Sequence, residues 1–131
     1  MARIKHIALR TPDPDKTAAF YKEVFGLEEV GKARAGIYLS DGYINVAILK
    51  SKDDAGDESP RDAAGYAGID HFGFMVDDAD DIHEKLSKAG ATAMEGIDLG
   101  HGSGGQSYYE HKYRGPDNQV IDVTTTGWIG A

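Results

Sequence analysis

Ile4-Lys5-His6-Ile7-Ala8-Leu9 and Ile69-Asp70-His71-Phe72-Gly73-Phe74 decide the fold. They stand 65 residues apart, close to half of the 131-residue chain. Self-similarity at a fixed offset marks a repeated structural unit. Each segment alternates in the manner of a strand and gives way to an Asp-rich turn and a helical pattern. In the first copy Asp13 is placed to cap and Pro14 to open a helix, because a carboxylate accepts from orphan amides and proline needs no partner at the first helical position. Thr17, Phe20, Tyr21 and Val24 form its expected stripe, and Gly26 ends it. In the second copy Asp77 or Asp78 caps, Ile82, Leu86 and Ala89 form the stripe, and Gly90 ends it.

Three strand-like runs follow each helix. They are Leu27–Val30, Gly36–Leu39 and Tyr43–Leu49 in the first half, and Ala91–Met94, Ser107–Tyr113 and Gln119–Thr125 in the second. Each half reads β-α-β-β-β, with matching turns at Asp41-Gly42 and Asp117-Asn118. The expected fold class is α+β, with paired βαβββ modules. The chain is expected to be one domain, with module 1 at about 1–52, a polar linker at 53–67 and module 2 at about 68–131.

Alternation then assigns faces. His6 and Ala8 share one face of the first strand, and Ile7 and Leu9 the other. In its repeat, His71 and Gly73 oppose Phe72, Phe74 and Val76. The bulky face should pack on the helices, and the histidine face carries a small neighbour in both copies. A single strand histidine is more often a hydrogen-bonding residue than a ligand. Two at equivalent positions of a repeat reverse that balance, since imidazole is the commonest transition-metal ligand. Asp122 lies among apolar residues in the last strand, where a carboxylate is costly unless paired or bound to a cation. His6, His71 and Asp122 form a two-imidazole, one-carboxylate set that suits a divalent metal ion, with Fe, Ni, Zn, Mn and Co all compatible. Aligning the two turns puts Val46 opposite Asp122. Asn45 is then one residue out of phase and needs a bulge to join the site.

Composition bounds the partners. With no Cys, thiolate metal sites, disulfides and thiol catalysis are excluded. A net charge of -8 argues against nucleic acid as a partner. No apolar run reaches the ~20 residues of a membrane helix, and the start lacks the apolar stretch of a signal peptide. A cytoplasmic protein acting on a small-molecule substrate, with no membrane partner, is expected.

Ile4–Val30, Gly68–Ala91 and Tyr113–Val123 resemble the vicinal oxygen chelate superfamily, which includes glyoxalase I, methylmalonyl-CoA epimerase, extradiol dioxygenases and the bleomycin- and fosfomycin-resistance proteins. The most specific parts are F-Y-x-x-x-F-G-L at Phe20–Leu27 and P-D-x-x-x-I-D-x at Pro116–Val123. The resemblance implies modules whose sheets curl around a metal and substrate cavity, with ligands His6, His71 and Asp122, and a homodimer. The sequence departs from the family in several places. Asp122 stands where Glu is usual, and the usual D-P-D-G-N turn reads Gly115-Pro116-Asp117-Asn118-Gln119. No fourth ligand is found in the first module. Lys112 stands where extradiol dioxygenases carry Tyr, and His101 is too far back for their upstream His.

Alternation in the seventh strand separates Tyr109, His111 and Tyr113 from Glu110, Lys112 and Arg114, and leaves open which face meets the cavity. The catalytic candidates are Asp122 and Glu110, and the substrate-binding candidates are Asn45, His111 and Tyr113. The G-x-G-x-x-G at Gly100–Gly105 precedes a strand and not a helix, so it reads as a loop or lid over the cavity and not as a nucleotide site. His83 reads as a surface residue, and Trp128 as a seal of the core or of a dimer interface. No G-x-S-x-G elbow is present. The expected function is a metal-dependent lyase or isomerase of the glyoxalase and epimerase kind. The alternatives are an extradiol-type ring-cleaving dioxygenase and a metal-free antibiotic-binding resistance protein.

Overall fold

The computed structural model describes residues 1–53, 63–101 and 105–131. The order of elements is β1 (Arg3–Thr11), α1 (Pro14–Phe25), β2 (Glu28–Ala33), β3 (Gly36–Ser40), β4 (Asn45–Lys50), β5 (Gly68–Met75), α2 (Ala79–Lys88), β6 (Thr92–His101), β7 (Ser107–Arg114) and β8 (Val120–Thr124). Each half is thus a βαβββ module, and the class is α+β. Most of the expected linker, 54–62, lies outside the described residues, as do Gly102, Ser103 and Gly104 of the expected lid. The flanks of the linker are tied down: Gly65 N–H donates to the Lys52 carbonyl at 2.8 Å and Ser51 Oγ to the Tyr66 carbonyl at 2.7 Å.

The chain divides into two compact units. The N-terminal unit is His6–Asp70 with Ile129–Ala131, and the C-terminal unit is His71–Trp128 with Met1–Lys5. In the N-terminal unit the strand order is β2-β3-β4-β1, with β4 parallel to β1. In the C-terminal unit it is β6-β7-β8-β5, with β8 parallel to β5. A parallel pair cannot be joined by a tight turn. Here the helix and two further strands of each module supply the crossover.

The helices begin and end as their sequences dictate. Asp13 accepts from the Lys16 amide at 3.2 Å, Pro14 opens α1, and Gly26 closes it at φ 73°. That left-handed conformation costs glycine no Cβ clash. Asp78, not Asp77, caps α2, accepting from the Asp81 amide at 3.0 Å. Asp77 instead meets the Met1 ammonium at 2.5 Å, and this pair holds its carboxyl below the usual range.

The bulky strand faces do pack on the helices. Leu9 joins Ala18, Ile37, Leu39 and Ile48 in the core of the N-terminal unit. Phe74 and Val76 join Tyr113, Val123, Ile82 and Leu86 in that of the C-terminal unit. One helix stripe needs correction. Ala18 and Tyr21 face the core of the N-terminal unit, whereas Phe20 and Val24 are exposed. Ala89 is likewise exposed at the end of α2. β6 also runs further than expected, reaching His101 opposite Ser107.

Candidate functional site

In the C-terminal unit, register places one set of charged side chains on one face. Gly73 of β5 and Lys112 of β7 flank Asp122 of β8 on its two sides. His71 and Glu110, each two residues along its strand, share that face. His71, Glu110 and Asp122 are all buried, Asp122 completely. The carboxylate of Asp122 is divided between two partners: Oδ1 lies 2.8 Å from Lys112 Nζ, and Oδ2 lies 3.1 Å from His71 Nε2. Lys112 Nζ also lies 3.3 Å from Glu110 Oε1, and the Trp128 indole N–H donates to Glu110 Oε2 at 2.7 Å.

This network explains how two carboxylates are buried side by side. Burial alone would push Asp122 up, but the hydrogen bond and charge of His71, and then Lys112, hold its carboxyl well below the usual range. Glu110 goes the other way. Burial raises it first and repulsion from Asp122 second, outweighing the attraction of Lys112 and the Trp128 hydrogen bond. Two neighbouring acids pushed in opposite directions are the pattern that separates a proton carrier from a permanent anion. Burial also works against the Lys112 ammonium, but Asp122 and Glu110 outweigh it and hold Lys112 above its ordinary value.

Trp128 is buried against this face. A Cβ at Gly73 would sit 2.6 Å from its ring, so the small residue beside His71 makes room for the chain's own indole. Sequence reading missed both Lys112 and Trp128 as members of the cluster. The available signal was the alternation of β7, which puts Lys112 in phase with Glu110.

In the N-terminal unit, His6 is buried on β1 and Asn45 is fully buried on β4. The two are direct neighbours in the parallel register. Asn45 therefore shares the face of His6 without any bulge, which corrects the expectation of a one-residue phase error. By register, Ala47 and not Val46 takes the place that Asp122 has in the other unit. Asn45 Nδ2 donates to the Ile129 carbonyl at 2.8 Å, so its Oδ1 faces His6 Nδ1, also at 2.8 Å. An amide oxygen only accepts, so Nδ1 carries the proton and Nε2 the lone pair. Such a second hydrogen bond commonly fixes the tautomer of a metal-binding imidazole. Asn45 therefore orients His6.

His111 and Tyr113, expected to bind substrate, lie on the other face of β7 from Glu110 and Lys112. Tyr113 is buried against α2, its hydroxyl 3.0 Å from Nδ1 of the exposed His83, and burial raises its pKa. His111 is exposed, packed edge-on to Tyr109. Neither joins the His71–Asp122 cluster, because a one-residue step along a strand reverses the face.

His71 and Asp122 offer donor types that divalent metal ions take. Two ligand atoms on one ion, each at ~2.1 Å, stand about 3–3.5 Å apart, so His71 Nε2 and Asp122 Oδ2, 3.1 Å apart, could reach the same ion.

A family model described as "Glyoxalase/Bleomycin resistance protein/Dioxygenase superfamily" matches residues 3–123. The chain belongs to this superfamily. Its fold is shared with solved structures at low identity. The 2,3-dioxygenase LapB from Pseudomonas sp. KL28 matches with a TM-score of 0.69 and 22% identity, over 98% of this chain and 42% of that one. The Mn(II)-bound glyoxalase from Novosphingobium aromaticivorans matches with a TM-score of 0.69 and 19% identity, over 97% of this chain and 41% of that one. Methylmalonyl-CoA epimerase from Mycobacterium tuberculosis matches with a TM-score of 0.63 and 15% identity, over 92% of this chain and 85% of that one. The superfamily chain thus spans less than half of the dioxygenase and glyoxalase chains. No curated protein matches it in sequence. Among the described residues no helix is long and apolar enough to cross a membrane.

Proposed function

We propose that this superfamily member is a metal-dependent lyase or isomerase of the glyoxalase and epimerase kind, acting on a small molecule with two neighbouring oxygens. The observation that carries the reading is the pair of buried acids, Asp122 held ionised and Glu110 held toward protonation, on the face that also bears His71. His6, His71 and Asp122 would hold the divalent ion; the donor set accommodates Fe, Ni, Zn, Mn or Co. When bound, the ion acts as a Lewis acid toward the substrate oxygens.

The chain's own residues do the rest. Glu110 is the base: its raised pKa lets it take a proton from the carbon beside those oxygens and return it. Lys112 stays charged between the two acids and offsets their repulsion. Asn45 keeps the lone pair of His6 on Nε2. The near full-length match to the epimerase in both directions supports this choice over the dioxygenase. The donor set of two imidazoles and one carboxylate favours extradiol-type cleavage as the second reading. A homodimer belongs to the same proposal.

Metal analysis of protein purified without oxygen tests the reading. One ion per chain is expected, lost in Asp122→Asn and in His71→Ala. Solvent deuterium should exchange into an α-oxo substrate without oxygen uptake. Glu110→Gln should slow that exchange about 10²–10⁴-fold while keeping the metal. Absence of stoichiometric metal would overturn the proposal in favour of a metal-free binding protein. Oxygen consumption with catechols on iron-loaded protein would replace it with the dioxygenase.

A further inference from the structure

We infer that Lys112 is a positioning residue that restricts Asp122 to a single ligating oxygen; this rests on the metal site proposed above. The ammonium takes Oδ1 at 2.8 Å, and Oδ2 is left facing His71 Nε2 at 3.1 Å. An unrestrained carboxylate can turn both oxygens to a cation. Here the turn is opposed, because Lys112 is itself fixed. Its ammonium also meets Glu110 Oε1 at 3.3 Å, the other Glu110 oxygen accepts from the Trp128 indole, and Trp128 is wedged over Gly73. The chain of contacts runs from the tail tryptophan to the carboxylate without a solvent-exposed member.

The consequence is a count of open positions. A six-coordinate ion held by three one-atom ligands keeps three positions for substrate and water, whereas a two-oxygen carboxylate closes one of them. A substrate that chelates through two oxygens needs that room. The lysine is placed for this by register alone, directly opposite Asp122 in the β7–β8 pair.

Cobalt(II) is the probe. Its affinity and visible absorption are measured for the full chain, Lys112→Met and Lys112→Arg, with thermal melts of the metal-free proteins alongside. Lys112→Met is expected to weaken binding about 10- to 100-fold, the usual effect of losing a partner of a ligating side chain. It should also lower the molar absorptivity of bound cobalt, as the freed carboxylate adds a ligand. Lys112→Arg should restore most of both. Should Lys112→Met not fold, Lys112→Gln takes its place, with the same expectations. An unchanged affinity and spectrum overturns the inference alone. Tighter binding with an unchanged spectrum also overturns it, and assigns the ammonium as a competitor of the metal. No cobalt binding by the unmodified chain overturns the metal site and the inference with it.

Discussion

The two units share a scaffold and differ in what they hang on it. Register pairs Tyr38 with Ala47 in the N-terminal unit and Lys112 with Asp122 in the C-terminal unit. Two residues before those partners stand Gly36 and Glu110. Ala8 corresponds to Gly73, and Asn45 to Val120. The N-terminal unit thus carries neutral residues where the C-terminal unit carries Glu110, Lys112 and Asp122, and holds one oriented imidazole of its own. The same frame stands twice in the chain, and the buried charged cluster occurs in one copy only. Burying charge is costly unless each charge has a partner, so Glu110, Lys112 and Asp122 stand or fall as a group.

That asymmetry can be broken at matched positions. The largest effect on stability is expected at the small residue beside each histidine. Gly73→Ala forces a methyl to within 2.6 Å of the Trp128 ring and should cost about 1–3 kcal/mol, as overpacked cores do. The matched Ala8→Gly only removes a buried methyl and should cost about 1 kcal/mol. Urea melts of both variants measure the difference, and equal losses would mean that the indole yields freely.

The caps should behave alike. Asp13→Ala and Asp78→Ala each remove one carboxylate–amide bond and should each cost about 1 kcal/mol. A large inequality would show that one helix matters more to its unit than the shared frame implies.

The smallest effect is a slope. Glu110 is raised in the folded state, so the native chain binds more protons than the unfolded one between the ordinary carboxylate value and the raised one. Stability of the metal-free protein should therefore fall as pH rises through that window. Asp122 is depressed, so its contribution is present above the ordinary carboxylate value and fades as pH falls toward the folded value. Glu110→Gln should remove the first trend and leave the second. Thermal melts across pH check the sign, and a wild-type fall that persists in the variant would assign it elsewhere.

Much of this frame was legible in the sequence. The repeated histidines, the Asp caps and Gly26 were readable because each rests on a local rule: alternation, an orphan amide, a left-handed residue. The α1 face was not. Ala18, Phe20, Tyr21, Val24 and Phe25 offer apolar residues in several directions, and periodicity alone cannot choose among overlapping stripes. The phase of Asn45 was missed for a different reason. Ala47 lies six residues after Asp41, whereas Asp122 lies five after Asp117, so aligning the hairpins on their aspartates shifts one strand by a single residue, and one residue reverses a face. Alternation put Lys112 in phase with Glu110 but not beside Asp122, and Trp128 was hidden altogether, because both contacts run between segments distant in sequence.

The carbonyl of Ile129 holds Asn45, and Asn45 holds His6. An imidazole on the first strand is therefore aimed by a peptide group that follows the last strand. Cleavage between Thr126 and Ile129 would release that carbonyl and undo the aim without touching His6, His71 or Asp122. Weakened cobalt binding in a preparation cleaved there would then report the lost carbonyl and not damage to those three side chains.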